Sequence, residues 1–343
     1  MNKLLDKITI GKYIAKGMMG TIYIATDKEG NKYAYKIGKI LPREVKKSLK
    51  SEYWRENDFA ENLANKYPDQ FMYLYDSKIE NNCKHTQNFS GFDFTMNDLP
   101  KEQQTYYKKL AKSPYCSIKL WSLIDGDLKS LLRKNKLSAK EFYDIYIQIV
   151  YIVYLMNKAG YFHNDFHPGN IGFVKTNKKT IDILGYKIPT HGYLIKAIDF
   201  GLVLHDKYQM SKSDRKKYEN DNDLFKVVNK LSINRENNDF VKVNGKKLKW
   251  DKWWNFDRKI SKEEKEILKN YLPNHKLNKD NTNFLYKKLS KLLHYEISQR
   301  ELLKNNNIKG IAPKFLIPLD KILYVIKNIN EPKKVLLYLI KNR

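Results

Sequence analysis

His163-Asn164-Asp165-Phe166-His167-Pro168-Gly169-Asn170, running directly into the apolar Ile171-Gly172-Phe173-Val174, is the stretch on which the reading of this chain turns. Asp165 and Asn170 stand five residues apart in a loop stiffened by Pro168 and opened by Gly169. A carboxylate and an amide so placed can face one centre, the first accepting a hydroxyl proton and the second coordinating a cation. His163 and His167 have the spacing of a helical metal pair, but Pro168 and Gly169 argue against a helix there, so a His-bound transition metal is the weaker reading.

Further along comes Ala197-Ile198-Asp199-Phe200-Gly201. An Asp between an apolar strand and a Phe-Gly turn suits an oxygen ligand for Mg²⁺, which takes few carboxylates and leaves positions for phosphate and water. Near the start, Ala15-Lys16-Gly17-Met18-Met19-Gly20-Thr21-Ile22 lies between two expected strands. Gly17 and Gly20 let backbone N–H groups approach phosphates closely, although two glycines in a hairpin are by themselves commonly a turn. Tyr33-Ala34-Tyr35-Lys36 adds weight, because strand alternation turns Ala34 and Lys36 to one face. An inward lysine needs anionic partners, and nucleotide phosphates with a helix carboxylate would supply them. Glu56 is the candidate carboxylate, ahead of Phe59 and Leu63 on an expected helix, with Glu52 one turn earlier as runner-up.

Around these motifs the pattern changes once along the chain. Residues 8–40 alternate as a β-meander of three strands, 8–13, 21–26 and 32–37, with a turn over 27–31. A helix is expected over 43–65, a strand over 71–75, a polar surface insertion over about 77–112 and a strand over 115–123. Asp125-Gly126-Asp127 then breaks the pattern. Helical runs follow at 127–134 and 138–159, the second apolar on nearly every face and therefore buried. Short strands and loops fill 161–203, and helix is expected after about 222. The fold class is α+β, with a small mainly β N-terminal part carrying one helix and a larger mainly α C-terminal part, divided at 1–121 and 122–343.

Lys and Arg outnumber Asp and Glu by 65 to 38 in 343 residues, a formal charge of +27 that favours acidic partners. The chain is also rich in Asn, Ile, Tyr and Phe, which AT-rich codons specify along with Lys, so composition drift competes with a selected basic surface. Cys83 and Cys116 are too few for a disulfide framework or a Cys-based zinc site, which points to a reducing compartment. The opening residues lack the apolar core of a signal peptide, and the run 146–156 is too short to span a bilayer, so a soluble protein is expected.

Taken together, the motifs resemble the eukaryotic-type protein kinases, in family order from about residue 8 to about 232. The resemblance implies a bilobal protein-kinase-like fold using ATP and Mg²⁺. It implies that Ala15, Gly17, Gly20 and Ile22 cover the nucleotide, that Ala34 lines its pocket, and that Lys36 contacts the α and β phosphates and pairs with Glu56. Asp165 is then the base, Asn170 and Asp199 hold Mg²⁺, the segment 121–124, including Trp121 and Leu123, receives adenine through its backbone, and Asp127 meets the ribose. Asp223, or else Asp221, braces the catalytic loop.

The departures narrow what the resemblance can mean. Ala15 stands where the family's first loop glycine would be, and Asn164 replaces the Arg that senses activation-loop phosphorylation. Residues 171–198 make an enlarged hairpin similar to insertions in kinases of large DNA viruses, which implies a viral source and residence in host cytoplasm or particles. No Ala-Pro-Glu stretch lies between Gly201 and Asp223, so the peptide-docking platform is reduced. His167 replaces a Lys of Ser/Thr kinases, and His-x-Asp-x-His-Pro-Gly-Asn also occurs in small-molecule kinases, so the acceptor stays open between a Ser or Thr of protein and a small molecule. A catalytically silent module on nucleic acid or virion components, held by the basic surface, is the third reading. In 233–343 the resemblance adds only helical content. Trp250, Trp253 and Trp254 read as core or a stacking surface, and Lys246-Lys247-Leu248-Lys249 as a solvated turn or a phosphate-binding patch.

Overall fold

Alternation of apolar and polar residues from Thr9 onward builds the first sheet, and the computed structural model resolves its strands as β1 (Thr9–Gly17), β2 (Gly20–Thr26) and β3 (Lys32–Ile40). The structure describes residues 4–17, 20–85, 97, 99–128, 130–131, 137–205, 208, 223–224, 240–243, 246–249, 321, 324–325, 328 and 330–343. The readings made at Met18, Met19, Asp221 and the three tryptophans Trp250, Trp253 and Trp254 lie outside them. Within the described residues the fold is mixed α+β and built on antiparallel sheets. The chain divides into two compact units, Met1–Asp125 with Lys196–Gln209, and Gly126–Ile195 with Met210–Arg343.

In the first unit the meander is completed by α1 (Glu52–Asn62), β4 (Leu74–Glu80), α2 (Lys101–Ala111) and β5 (Tyr115–Ser122), giving a five-stranded sheet in the order β1-β2-β3-β5-β4. Leu5, Ala25, Tyr33, Tyr35, Ile118 and Leu120 bury one face of it. The period of two then commits Ala34, Lys36, Lys119 and Trp121 to the other face, where register pairs Lys36 with Lys119 and Ala34 with Trp121.

Four expectations are corrected here. Helix α1 starts at Glu52 with Ser51 as its N-cap residue, and not at 43, where Pro42–Glu44 forms only a 3-10 turn. Lys46, Lys47 and Lys50 would put like charges three and four residues apart on a helix, which disfavours continuing it. Strand β4 runs on to Glu80, beyond the expected 71–75, and its Asp76, Ser77 and Lys78 are tolerated because it is an edge strand with one side toward water. The supposed surface insertion therefore begins later, and it contains α2, seated by the fully buried Leu110. Cys83, just after β4, is joined to Cys116 on β5 in a disulfide with Cα atoms 5.6 Å apart. That bond closes the insertion at its base and removes the cysteine argument for a reducing compartment.

The second unit is built around α3 (Ala139–Lys158), opened by a reciprocal capping box in which Glu141 N donates to Ser138 Oγ and Ser138 N to the Glu141 carboxylate. Ile145, Tyr146, Ile149 and Ile152 are fully buried, as the all-round apolar pattern requires. Strands β6 (Gly126–Asp127), β8 (Ile171–Lys175) and β11 (Tyr193–Ala197) form a sheet in the order β11-β8-β6, after the two-residue β7 (Tyr161–Phe162). The enlarged hairpin carries β9 (Thr180–Ile183) and β10 (Tyr186–Pro189), turned at Leu184-Gly185 with φ of 53° and 86°. It is fastened to α3 through His191 Nε2, which lies 2.7 Å from a carboxylate oxygen of the fully buried Asp144. Asp144 also accepts from Arg343, just beyond α4 (Pro332–Lys341), and Tyr143 on α3 donates to Leu339 O at 3.0 Å. The two-residue β12 (Leu204–His205) belongs to the first unit. After about 222, where helices separated by connections are expected, the described residues include an antiparallel hairpin of β13 (Phe240–Val243) and β14 (Lys246–Lys249), so the lysine run expected as a solvated turn or a phosphate-binding patch is a strand. No helix among the described residues is long and apolar enough to cross a membrane.

Candidate functional site

Four ionic side chains meet on the inner face of the first unit's sheet. Lys36 Nζ lies 3.1 Å from Glu56 Oε1 and 2.9 Å from Asp199 Oδ1, a residue 163 positions away in the chain. The other Glu56 oxygen is taken by Lys119 Nζ, which also donates to Tyr53 O at 3.1 Å and sits 4.7 Å from the Tyr53 ring centre. Of the two candidate glutamates, Glu56 is the one that pairs with Lys36. Glu52, one helical turn earlier, packs against Gly201 so closely that a Cβ there would fall 1.8 Å from Glu52 Oε1.

The electrostatics follow from this geometry. Burial pushes the Glu56 carboxyl up, but Lys119 and Lys36 outweigh it, and the group is held below the ordinary carboxylate value. Burial pulls the Lys36 ammonium down, yet Asp199 first, then Glu56 and Glu52, hold it well above the ordinary lysine value. At Glu52 burial, and then the charge of Glu56, push the carboxyl up to about 7, and the same two lysines, which pull the other way, are outweighed.

Asp199 is at φ 60°, and the following Phe200 is buried among aromatic rings, 4.4 Å from Phe59, 5.7 Å from Trp121 and 6.3 Å from Phe71 between centroids. Those contacts anchor the turn that carries Asp199, and Arg55 Nη2 donates to Gly201 O at 3.3 Å beside it. In the glycine-rich hairpin Ala15 pairs with Ile22 and Gly17 with Gly20. Gly20 has a packing reason of its own, since a Cβ would lie 2.5 Å from Ile37 O. Ala34 is buried, and Trp121 is held in the ladder between Ala34 and Leu74, whereas Leu123 lies beyond the end of β5.

In the second unit the loop after β7 is organised from within. Asn170 Nδ2 donates to Asp165 O at 2.9 Å and to Asp165 Oδ2 at 3.0 Å. Gly169 N donates to His167 Nδ1 at 3.0 Å, so in the neutral ring the proton is on Nε2, 3.6 Å from Asp165 Oδ2. The fully buried Asp223 accepts from the backbone amides of His163 at 2.7 Å and Asn164 at 2.9 Å, the latter at φ 63°. Asp223 therefore does the bracing that the sequence left open between two aspartates. Asp127 also serves locally, its Oδ1 accepting from Ser130 N at 2.6 Å and its backbone O from Ser130 Oγ at 2.7 Å.

Among the described residues no group of three or more His, Cys, Asp and Glu side chains is placed to hold a metal ion. The donors nevertheless have the chemistry a hard cation takes. Asp199 offers a carboxylate about half exposed at 53%, and both bonds from Asn170 to Asp165 use its nitrogen, which leaves the amide oxygen as the end suited to a cation. Compared with known proteins, the chain matches no family model and no curated protein. Sequence reasoning missed Lys119. Its only signal was a lysine inside the apolar Ile118-Lys119-Leu120-Trp121, and placing it opposite Lys36 requires the register of β3 against β5.

Proposed function

We propose that this chain is an ATP- and Mg²⁺-dependent phosphotransferase of the protein-kinase type, with the two-lobed fold that this implies, transferring the γ-phosphoryl group to Ser or Thr hydroxyls of protein. One observation carries the reading: Lys36, Glu56 and Asp199, widely separated in sequence, lie within 3.1 Å of their partners on one sheet face. A lysine shared between two carboxylates and left 20% exposed is suited to an incoming phosphate.

In this reading Asp165 accepts the proton of the attacking hydroxyl. Its carboxylate is 41% exposed and oriented by Asn170, and the loop carrying it is braced by Asp223. Asp199 and Asn170 would hold Mg²⁺, which offsets phosphate charge when bound. Gly17 and Gly20 keep the hairpin open to phosphates, and Ala34 and Leu123 would meet the base. The charge of +27 favours acidic protein acceptors and allows contact with nucleic acid or virion components. His167, 3.6 Å from Asp165, supports a second reading in which the acceptor is a small amino alcohol or aminoglycoside.

The deciding experiment is transfer of labelled γ-phosphate from ATP and Mg²⁺ by wild type and Asp165→Asn, offered casein, a basic protein and a panel of amino alcohols. Label on Ser or Thr that is lost in the variant is the expected result. Label only on a small molecule moves the chain to the second reading, and no label anywhere overturns both.

A further inference from the structure

We propose that Lys119 is a positioning residue for phosphoryl transfer: by taking one oxygen of the buried Glu56 carboxylate, it keeps Glu56 paired and in place when Lys36 turns to an anionic phosphate. The inference rests on the function proposed above and concerns a residue to which that function assigns no part.

The two lysines face the same carboxylate from adjacent strands, as register partners on one face of the sheet. They differ in access. The Lys119 side chain is 3% exposed and is held by Glu56, by Tyr53 O and by the Tyr53 ring, whereas the Lys36 side chain is 20% exposed and is shared with Asp199. Lys36 can therefore reach a ligand, and Lys119 cannot leave. With Lys36 as its sole partner, Glu56 would become a lone buried charge whenever phosphate drew the ammonium away, which is among the costliest arrangements a protein interior can hold. A second, immobile lysine removes that penalty from nucleotide binding. It also divides the carboxylate, so that Glu56 restrains Lys36 through one oxygen only.

The test compares wild type, Lys119→Met, Lys119→Arg, Glu56→Gln and the double variant Lys119→Met/Glu56→Gln, each checked for folding by thermal melting above the assay temperature. The expected result is a fall of about tenfold in kcat/KM for ATP in Lys119→Met, the scale of coupling between contacting charges. Lys119→Arg should recover most of it, and the double variant should be no worse than Glu56→Gln alone. A purely structural lysine would lower the melting temperature and leave kcat/KM unchanged, and that outcome overturns the inference. Should Lys119→Met not fold, the double variant decides, since it strands no charge: activity equal to Glu56→Gln supports the inference and a further tenfold loss overturns it. A wild type that neither transfers phosphate nor binds nucleotide fails the function and the inference together, whereas a working wild type beside an equally active Lys119→Met fails the inference alone.

Discussion

Around Lys36, charged groups from β3, α1, β5 and the Asp199 turn are packed together, with Glu56 and Lys119 at 5% and 3% exposure. Around Asp165, at 41% exposure, the partners of the side chain come from the same short loop, Asn170 and His167. The first arrangement is assembled by tertiary contacts and depends on every charge having an opposite. The second is made by local turn chemistry and remains in touch with water. Dry paired charges should therefore fail as structure when one is removed, and the wet carboxylate should fail as chemistry with the structure intact.

The sharpest way to break that contrast is Asp165→Asn. Turnover should fall by about 10² to 10⁴ while stability shifts by no more than about 0.5 kcal/mol, read from kcat beside a denaturant curve. On the other side, Glu56→Ala should cost about 3–5 kcal/mol of stability, because it leaves Lys119 buried without its carboxylate. A fully stable Glu56→Ala protein would mean that the cluster is wetter than its burial indicates. Asp199→Ala tests the half-exposed member of the dry cluster. Mg²⁺-dependent nucleotide binding should disappear, and an unchanged Mg²⁺ dependence in titration calorimetry would remove Asp199 from the metal.

Smaller effects sharpen the comparison further. Reducing the Cys83–Cys116 bond, which closes a separation of 33 residues, should lower stability by about 3–4 kcal/mol on the chain-entropy account. Melting with and without reductant measures it, and coincident melts would show that the insertion is held by packing alone. The smallest effect belongs to Glu52. Its carboxyl is held at about 7 in the fold against an ordinary 4.5, so between those values the folded chain binds a proton that the unfolded chain has released. Stability should therefore decline as pH rises through that window. Glu52→Gln should flatten the decline and melt a few degrees above wild type at pH 8, about what 1 kcal/mol gives in a chain of this size. Parallel melting profiles of the two proteins from pH 5 to 8 would contradict this.

Local patterns were readable where one segment decides its own conformation. The three opening strands, the all-round buried helix with its Ser138 cap, and the loop from His163 to Asn170 depend on alternation, helical period and turn residues within a few positions. The misreadings have the opposite character. Helix α2 and the end of β4 are polar on their outer sides, and they are held by neighbours far away in sequence, so neither shows a strong period of its own. The hairpin of β13 and β14 likewise carries lysines where a strand pattern would want apolar residues.

By itself the sequence determined which residue types were available for the chemistry and their order, because the motifs from Gly17 to Gly201 are contiguous and each has a local reason for its residues. Only the tertiary structure decided between Glu52 and Glu56, which lie one turn apart on the same helix face and differ solely in what stands opposite them. It also decided that Asp223 braces the loop, that Cys83 finds Cys116, and that a second lysine shares Glu56. In each case the outcome depends on the register and packing of segments remote in sequence, and a carboxylate or an ammonium group has no preferred partner until that packing brings one within reach and excludes the water that would otherwise solvate it.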